Sequence, residues 1–376
     1  MEINTSSNCA NNNVAFSVEP AFGEDAVAIM LATNNDFAPY AGVMIQSIKD
    51  NTSKDRNYDI VVVGDLSDIN KKLLESMAGR NIAIRVVDMK PLLENVDLSI
   101  FSTNLYYTVE TYYRFFIPQL YCRYEKVLYL DADMVALRDV AELFDTDMEN
   151  NWWAVTRDGI TKRSDAWAEE VVHPYLKKTL KMDSAFDYFQ AGVMIWNIPQ
   201  CIKDNVHEQL IDRLKEIKTP KWVDQCVMNS LANGKHIRWI HGKWNALWYA
   251  FLITKDATAY NEMMRLLDDP YIIHFCTATK PWDEPDRPNA DKFWHYARKT
   301  PFYETILLNM LSKKIATNVQ AGTGNIRTED THEIPPHKRT RFYYNKYRLL
   351  ASITFGALHR KYNTRRKAVK KALGIK

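Results

Sequence analysis

A chain of 376 residues, 46% apolar and 25% charged, can bury a large core and has the make-up of a folded globular protein, not of a disordered or fibrous one. No apolar run approaches the ~18 residues that span a bilayer, and the opening MEINTSSNCANNNVAF lacks the basic segment and apolar core of a signal peptide, so a cytoplasmic location is expected. The net charge of +3 conceals an asymmetry, because residues 338–376 hold 13 Lys or Arg and no acid, leaving the first 337 near −10.

Residues 1–26 are Asn- and Ser-rich and read as a loose N-terminal segment. Val27–Leu31 predicts a first strand, ending in the polar Asn34, Asn35 and Asp36, and Pro39 opens a helix that Tyr40–Ile48 continues. A strand over Tyr58–Val63, a helix over Ser67–Met77 and a strand over Ile82–Val87 complete the βαβαβ rhythm of a mononucleotide-binding half. Neither GxGxxG nor a P-loop occurs, so dinucleotide and Walker-type sites have no support. Residues 104–120, rich in aromatics, predict a further helix, within which Arg114 needs an anionic partner if it is buried. Asp131 or Asp133, or a bound diphosphate, could supply it, so a structural salt bridge and a functional role stand equal.

The stretch YEKVLYLDAD, 124–133, is the most informative in the chain. Its apolar run Val127–Leu130 ends abruptly in Asp131, Ala132 and Asp133, two carboxylates with one small residue between them. This step from buried strand to paired acid suits the ligand-binding edge of an open α/β sheet, and hard divalent cations take such oxygen ligands. The same spacing also suits a solvated turn. Trp152–Val155 predicts another strand, ending at Arg157 and Asp158, and 159–186 reads as irregular. Small Ala191 and Gly192 follow Gln190 ahead of an apolar strand, Val193–Ile198. Residues 205–217 form an amphipathic helix, and 223–231 a short one with Asp224 and Gln225 in its first turn, where side chains and free amides can face a sugar. Tyr271–Ile273 predicts a strand with His274 at its end. Lys280 follows as a candidate phosphate partner. The cysteines at 9, 122, 201, 226 and 276 are odd in number without a CxxC, against a disulfide framework or thiolate zinc site and for a reducing compartment.

Taken together and in order, ATNNDFAPY, TYYRF, KVLYLDADMV, FDTD, YFQAGVMIWN, DQCVMN, KWNALW and HFCTATKPW resemble the retaining glycosyltransferases of family 8, over about residues 30–300. The resemblance implies an α/β glycosyltransferase A-type fold, with one Rossmann-like nucleotide-binding core, a mixed central sheet and a UDP-sugar donor held through Mn2+, with Mg2+ as the alternative. It implies Asp131, Asp133 and His274 as metal ligands, and Ala32, Thr33, Asn34 and Asp36 around the uridine. Arg114, Gln190 and Asp224 are implied as donor-sugar contacts, with Ala132 and Ala191 beside them. Thr277 and Lys280 fall in the loop over the diphosphate, and Gln225 on the reacting face of the sugar. The chain departs from the family's pattern at Asn34, where Asp is frequent, at Gln190, where Asn is, and at Thr277, where Gly is.

A diphosphate leaving group needs charge stabilisation, which a cation on Asp131, Asp133 and His274 together with Lys280 would provide. A double displacement needs a carboxylate beneath the sugar. Gln225 is a poor nucleophile, so same-face attack is favoured, with Asp158 and Asp224 the carboxylates to test. The expected activity is transfer of galactose or glucose from UDP onto a glycan or glycolipid acceptor in cell-surface polysaccharide or lipopolysaccharide synthesis. A nucleotide-sugar hydrolase, a nucleotidyltransferase and a non-catalytic nucleotide-sugar-binding scaffold remain alternatives. The catalytic domain is expected over 27–311, a linker over 312–337 and a basic aromatic tail over 338–376. That tail suits an anionic membrane surface on the cytoplasmic side. No nucleic-acid partner is expected.

Overall fold

The computed structural model describes residues 16–320, apart from 24, 95, 104–106, 160–167, 249–256, 277 and 279. Two compact units divide the chain, Met1–Lys280 with Lys292–Leu307, and Pro281–Asp291 with Leu308–Lys376. The first unit holds both sheets. In the second, Lys313 pairs with Asp283 at 2.7 Å.

The larger sheet begins with β1 (Val27–Ala32), β2 (Tyr58–Val63) and β3 (Ile82–Val87), linked by helices α1 (Ala38–Asn51) and α2 (Asp68–Glu75). β4 (Lys126–Leu130) follows. β1, β2 and β4 are almost wholly buried, as apolar, β-branched strands covered on both faces must be. Pro39 lies in the first turn of α1, where a missing N–H costs nothing, and Ser67 caps α2 by accepting from Asn70 N.

After the short β5 (Met134–Ala136) come β6 (Trp153–Arg157), β7 (Phe189–Asn197), α3 (Val206–Ile217), α4 (Val223–Ala232) and β8 (Ile237–Trp239). The sheet order is β3-β2-β1-β4-β7-β6-β8, with β7 antiparallel to both of its neighbours. From β1 the chain first builds outward through β2 and β3, then returns to place β4 on the other side. That reversal is a topological switch point, and its crevice opens at the C-terminal ends of β1 and β4. Leu31 pairs with Leu130, so Ala32 and Asp131 emerge side by side.

A second sheet, β5-β10-β9, is built from β5, β9 (Ala246–Leu247) and β10 (Ile272–His274). Met134 pairs with His274, which in turn pairs with Leu247. This small sheet carries the histidine back to the carboxylates.

Several elements differ from the sequence reading. The helix expected over 104–120 is a 3-10 turn, Val109–Phe116, followed by a short α-helical piece, Ile117–Leu120; residues 104–106 lie outside the described region. Thr, Tyr and Phe are weak α-helix formers, and Pro118 has no N–H to continue the ladder. Within the stretch read as irregular, Ala168–Val172 is a π-helical turn, His173–Lys178 is α-helical and Ala185–Asp187 is a 3-10 turn. Their apolar residues Val172, Tyr175 and Leu176 pack with Leu180, Met182, Tyr188 and Cys226 in a satellite core, which repays local ordering. Ala191 and Gly192 sit inside β7 instead of ahead of it. The last described helix, Tyr303–Gln320, covers the start of the stretch read as a linker. Residues 321–376, with the basic tail, lie outside the described region. Cys122 is disulfide-bonded, so the thiols are not all free; Cys201, Cys226 and Cys276 are.

A buried acid ties the sheet edge together. Asp59, 1% exposed in β2, accepts from Arg85 Nη2 at 2.6 and 2.7 Å, from the Tyr124 hydroxyl at 2.9 Å and from Ala21 N at 3.0 Å. Removing the carboxylate leaves three donors short of a partner, though Arg85 is about one-third exposed and rehydrates in part. Asp59→Ala is therefore expected to lower the unfolding free energy by about 2–3 kcal/mol in urea titrations, while Arg85→Ala alone does the same through the unpaired acid.

Candidate active site

The crevice at the switch point is lined by Asp131, Asp133 and His274, by Arg114, Thr111 and Tyr107, and by Gln190, Ala191, Trp222, Val223, Asp224, Gln225 and Cys276. Elements separated widely in sequence meet here. Asp131 leaves the end of β4, where its N–H is held by Gly192 O at 2.9 Å. His274 ends β10, and the next residue, Phe275, donates its N–H to Asp133 O at 2.9 Å. Nε2 of His274 consequently stands 3.3 Å from Asp133 Oδ1 and 3.6 Å from Asp131 Oδ2.

These three donor atoms lie within 4.8 Å of one another. Two carboxylate oxygens and an imidazole nitrogen form a hard-to-borderline set that fits Mn2+ or Mg2+ and leaves room for further oxygen ligands. Gly192 makes the space. A Cβ there would sit 2.5 Å from His274 Cε1 and 2.7 Å from Asp131 Oδ2, closer than any side chain tolerates.

Arg114, 3% exposed, is the cation on the opposite side of Asp131. Nη2 donates to Asp131 Oδ1 at 2.9 Å, Nη1 to Ala191 O, and Nε to Thr111 O at 3.0 Å. Nε also lies 3.0 Å from Asp224 Oδ2, an ion-pair contact without a hydrogen bond, because its proton is aimed at Thr111 O. The guanidinium covers the ring of Tyr129 at 4.2 Å, and the Tyr129 hydroxyl donates to Asp131 Oδ1 at 2.9 Å. In a 3-10 turn residues i and i+3 eclipse, so Thr111 and Arg114 face Asp224 together, and Thr111 Oγ1 bonds Asp224 Oδ1.

Burial penalises the charged form of each ionisable group here, and each answer is local. For Asp133, desolvation pushes the carboxyl up, but Lys280 and His274 outweigh it and hold it well below the usual range. Lys280 Nζ is 2.5 Å from Asp133 Oδ2 and donates to Phe275 O at 2.8 Å. Desolvation likewise opposes the charge on Arg114, yet Asp224 and Asp131 raise its pKa. Asp224 goes the other way. Its burial, partly offset by Arg114 and Thr111, lifts it to about 6, since it shares one guanidinium with Asp131.

Gln225 is clamped at both ends of its amide: Oε1 accepts from Ala191 N at 3.0 Å and Nε2 donates to Asp158 Oδ2 at 3.0 Å. Asp158, buried at the end of β6, thus stands behind Gln225 and does not line the cleft. Ala32, Thr33, Asn34 and Asp36 cluster at the neighbouring end of β1, also outside this cleft. Asn34 Oδ1 accepts from Phe37 N at 3.0 Å in the turn ahead of α1, and Asp36 is exposed. Ala132 is buried between the acids, and Thr277 lies outside the described residues.

Residues given no site role from sequence complete the site: Thr111, Tyr129, Trp222, Asn245 and Cys276. Tyr129 had a signal, since it sits two before Asp131 and shares its strand face. Asn245 falls within KWNALW, which carries part of the resemblance but assigns it no role; its Oδ1 meets His274 Nδ1 at 3.0 Å across 29 residues.

The structure resembles the apo form of the bifunctional glycosyltransferase WbbM, with 29% identity and a TM-score of 0.67 over 78% of this chain, which spans 53% of that protein. The fold is glycosyltransferase A-type, a mixed α/β core with a crevice at the sheet's switch point. Residues 28–286 match the model of glycosyl transferase family 8, and the chain belongs to that family. General stress protein A of Bacillus subtilis is 26% identical over 74% of this chain and 95% of its own length. Lipopolysaccharide 1,2-glucosyltransferase of Escherichia coli is 26% identical over 70% and 75% respectively.

The position of Asp224 sets a pH dependence. Its folded pKa, about 6, lies above the ordinary 3.8, so the folded state holds the proton more tightly than the unfolded chain does between those values. Stability contributed by this proton is present below pH ~4 and is lost as pH rises through ~6. Relative to Asp224→Asn, the wild-type protein should lose on the order of 3 kcal/mol between pH 4 and pH 7, measured by denaturant titration at each pH.

Proposed function

We propose that the chain is a metal-dependent retaining hexosyltransferase that moves galactose or glucose from a UDP-sugar onto a glycan or glycolipid acceptor, in cell-surface polysaccharide or lipopolysaccharide synthesis. The observation that carries this reading is the convergence of Asp131, Asp133 and His274 at the switch-point crevice of a family 8 fold. Those three residues would hold Mn2+ or Mg2+, and a cation bound there supplies Lewis-acid charge to a diphosphate leaving group. Lys280, held by Asp133 at the edge of the donor set, adds positive charge on the same side.

The protein's own groups then shape the sugar side. Asp224 and Gln190 offer an acceptor and a donor for sugar hydroxyls, and Arg114 keeps Asp131 and Asp224 from repelling one another. Gln225 presents a neutral amide whose oxygen is already engaged, which does not suit a nucleophile. Same-face attack follows: the acceptor hydroxyl approaches the anomeric carbon as the C1–O bond to the diphosphate breaks, and a leaving phosphate oxygen takes the hydroxyl proton. The likeness to a lipopolysaccharide glucosyltransferase supports a glycan acceptor.

Purified protein with each UDP-hexose should release UDP from one of them only when Mn2+ or Mg2+ is present, yielding sugar of retained configuration. Asp131→Ala and Asp133→Ala should each lower kcat/KM at least 100-fold, or about 3 kcal/mol of barrier. Failure to bind UDP at all would sink the reading, and release of a nucleoside monophosphate would point to a hydrolase or nucleotidyltransferase instead.

No helix among the described residues is long and apolar enough to cross a membrane. For residues 338–376, with 13 basic side chains among Tyr, Phe and Leu, we propose a peripheral site on an anionic cytoplasmic membrane face. The full chain should sediment with phosphatidylglycerol-containing vesicles at low salt and be released at high salt, with each near-surface charge worth about 1 kcal/mol. Retention in the supernatant at low salt refutes this.

A further inference from the structure

A chain of hydrogen bonds runs from the backbone of β7 to the candidate metal-ligating histidine. Gly192 N donates to Gln190 Oε1 at 2.6 Å, and the same oxygen accepts from Asn245 Nδ2, also at 2.6 Å. The other end of the Asn245 amide, Oδ1, stands 3.0 Å from His274 Nδ1. Gln190, Asn245 and His274 are each 9% exposed or less.

The polarity of this chain is decided at its first link. A backbone N–H is always a donor, so the atom of Gln190 that meets Gly192 is the carbonyl oxygen. The atom of Asn245 that meets that oxygen must then be the amide nitrogen. Asn245 therefore turns its own oxygen to His274, and Nδ1 must carry the proton. A neutral imidazole protonated at Nδ1 keeps its lone pair on Nε2, the atom facing Asp133 Oδ1 at 3.3 Å and Asp131 Oδ2 at 3.6 Å. Three lone-pair-bearing atoms so arranged repel one another unless a cation or a proton stands between them.

We propose that Asn245 and Gln190 are positioning residues that set the His274 tautomer and ring orientation for divalent-cation binding, with the Gly192 N–H as the fixed reference. The proposal rests on the metal reading given above. It also gives the Gln190 amide two tasks, because Nε2 has no partner among the described residues and the side chain lines the cleft. The oxygen serves the metal side while the nitrogen serves the sugar side. Partners of this kind that orient a ligating histidine are commonly worth about 10–100-fold in metal affinity.

The test is Mn2+ binding by the full-length protein without substrate, read as the loss of the free-ion EPR signal. Asn245→Leu should weaken binding about 10–100-fold. Gln190→Met removes the oxygen without touching a ligand, and is expected to weaken binding about 3–10-fold, with no further loss when added to Asn245→Leu. Gln190→Glu keeps two acceptor lone pairs and should bind Mn2+ at least as tightly as wild type. Wild-type binding that is lost in Asp131→Ala but unchanged in Asn245→Leu and Gln190→Met would overturn the relay and leave the metal reading standing. Equal weakening in Gln190→Met and Gln190→Glu would overturn the acceptor role. A wild-type protein that binds no Mn2+ would end both readings.

Discussion

The guanidinium of Arg114 is what allows this crevice to exist. Asp131 and Asp224 come from the end of β4 and the start of α4, and both are wanted on the walls of one cavity. Two carboxylates brought together in a buried place cannot both stay ionised without a cation between them. Arg114 provides it, one nitrogen 2.9 Å from Asp131 and another 3.0 Å from Asp224, with Tyr129 beneath the plane. Asp131 thereby has one oxygen neutralised by protein and keeps the other, Oδ2, for the donor set with Asp133 and His274. A lysine could not divide itself in this way, because a point charge lacks the planar fork that reaches two acids and a carbonyl at once.

The second constraint is that a metal site needs a donor from outside the strand that carries the acids. The three-stranded sheet meets it with very little structure. Three residues of β10 pair with three of β5, and the register sets His274 opposite Met134, one residue beyond Asp133. Glycine at 192 then lets β7 pass close enough for imidazole and carboxylate to share the space above it. Two donors therefore sit in the three-residue bend between β4 and β5, and the third ends β10. Loops enter behind them, where Lys280 closes on Asp133.

Much of the frame was legible because it is written in local patterns. β1, β2, β3 and β4 are short apolar, β-branched runs with polar exits, and the strand limits at Tyr58–Val63 and Ile82–Val87 match the structure residue for residue. Asp131 and Asp133 were legible for the same reason, as an abrupt change of character at a strand end. The 3-10 turn carrying Arg114 was not. Its aromatics satisfy a helical period as readily as a tighter one, and the choice is made by Pro118 and by packing. Asp131 was legible as a partner for Arg114, but Asp224 was not, since a contact between residues 114 and 224 depends on how the sheet is ordered. Asn245 is the extreme case. An asparagine between tryptophan and alanine has no local signature, and its role is defined wholly by what β10 brings beside it.

The placement of Gln225 bears on the chemistry more than its identity does. An amide oxygen is a poor nucleophile by its chemistry, and its surroundings here reinforce that reading. Here the oxygen already accepts the Ala191 N–H and the nitrogen is committed to Asp158, so rotation to free either atom would break a buried hydrogen bond. Substituting a carboxylate would set two acids about 3 Å apart around Asp158, which favours the protonated and less nucleophilic form. The arrangement thus presents a neutral surface to the cleft. In the transfer proposed above, Asp224 in its ionised form and the departing phosphate would balance positive charge developing at the anomeric carbon, a setting in which attack from the leaving-group face would need no covalent intermediate.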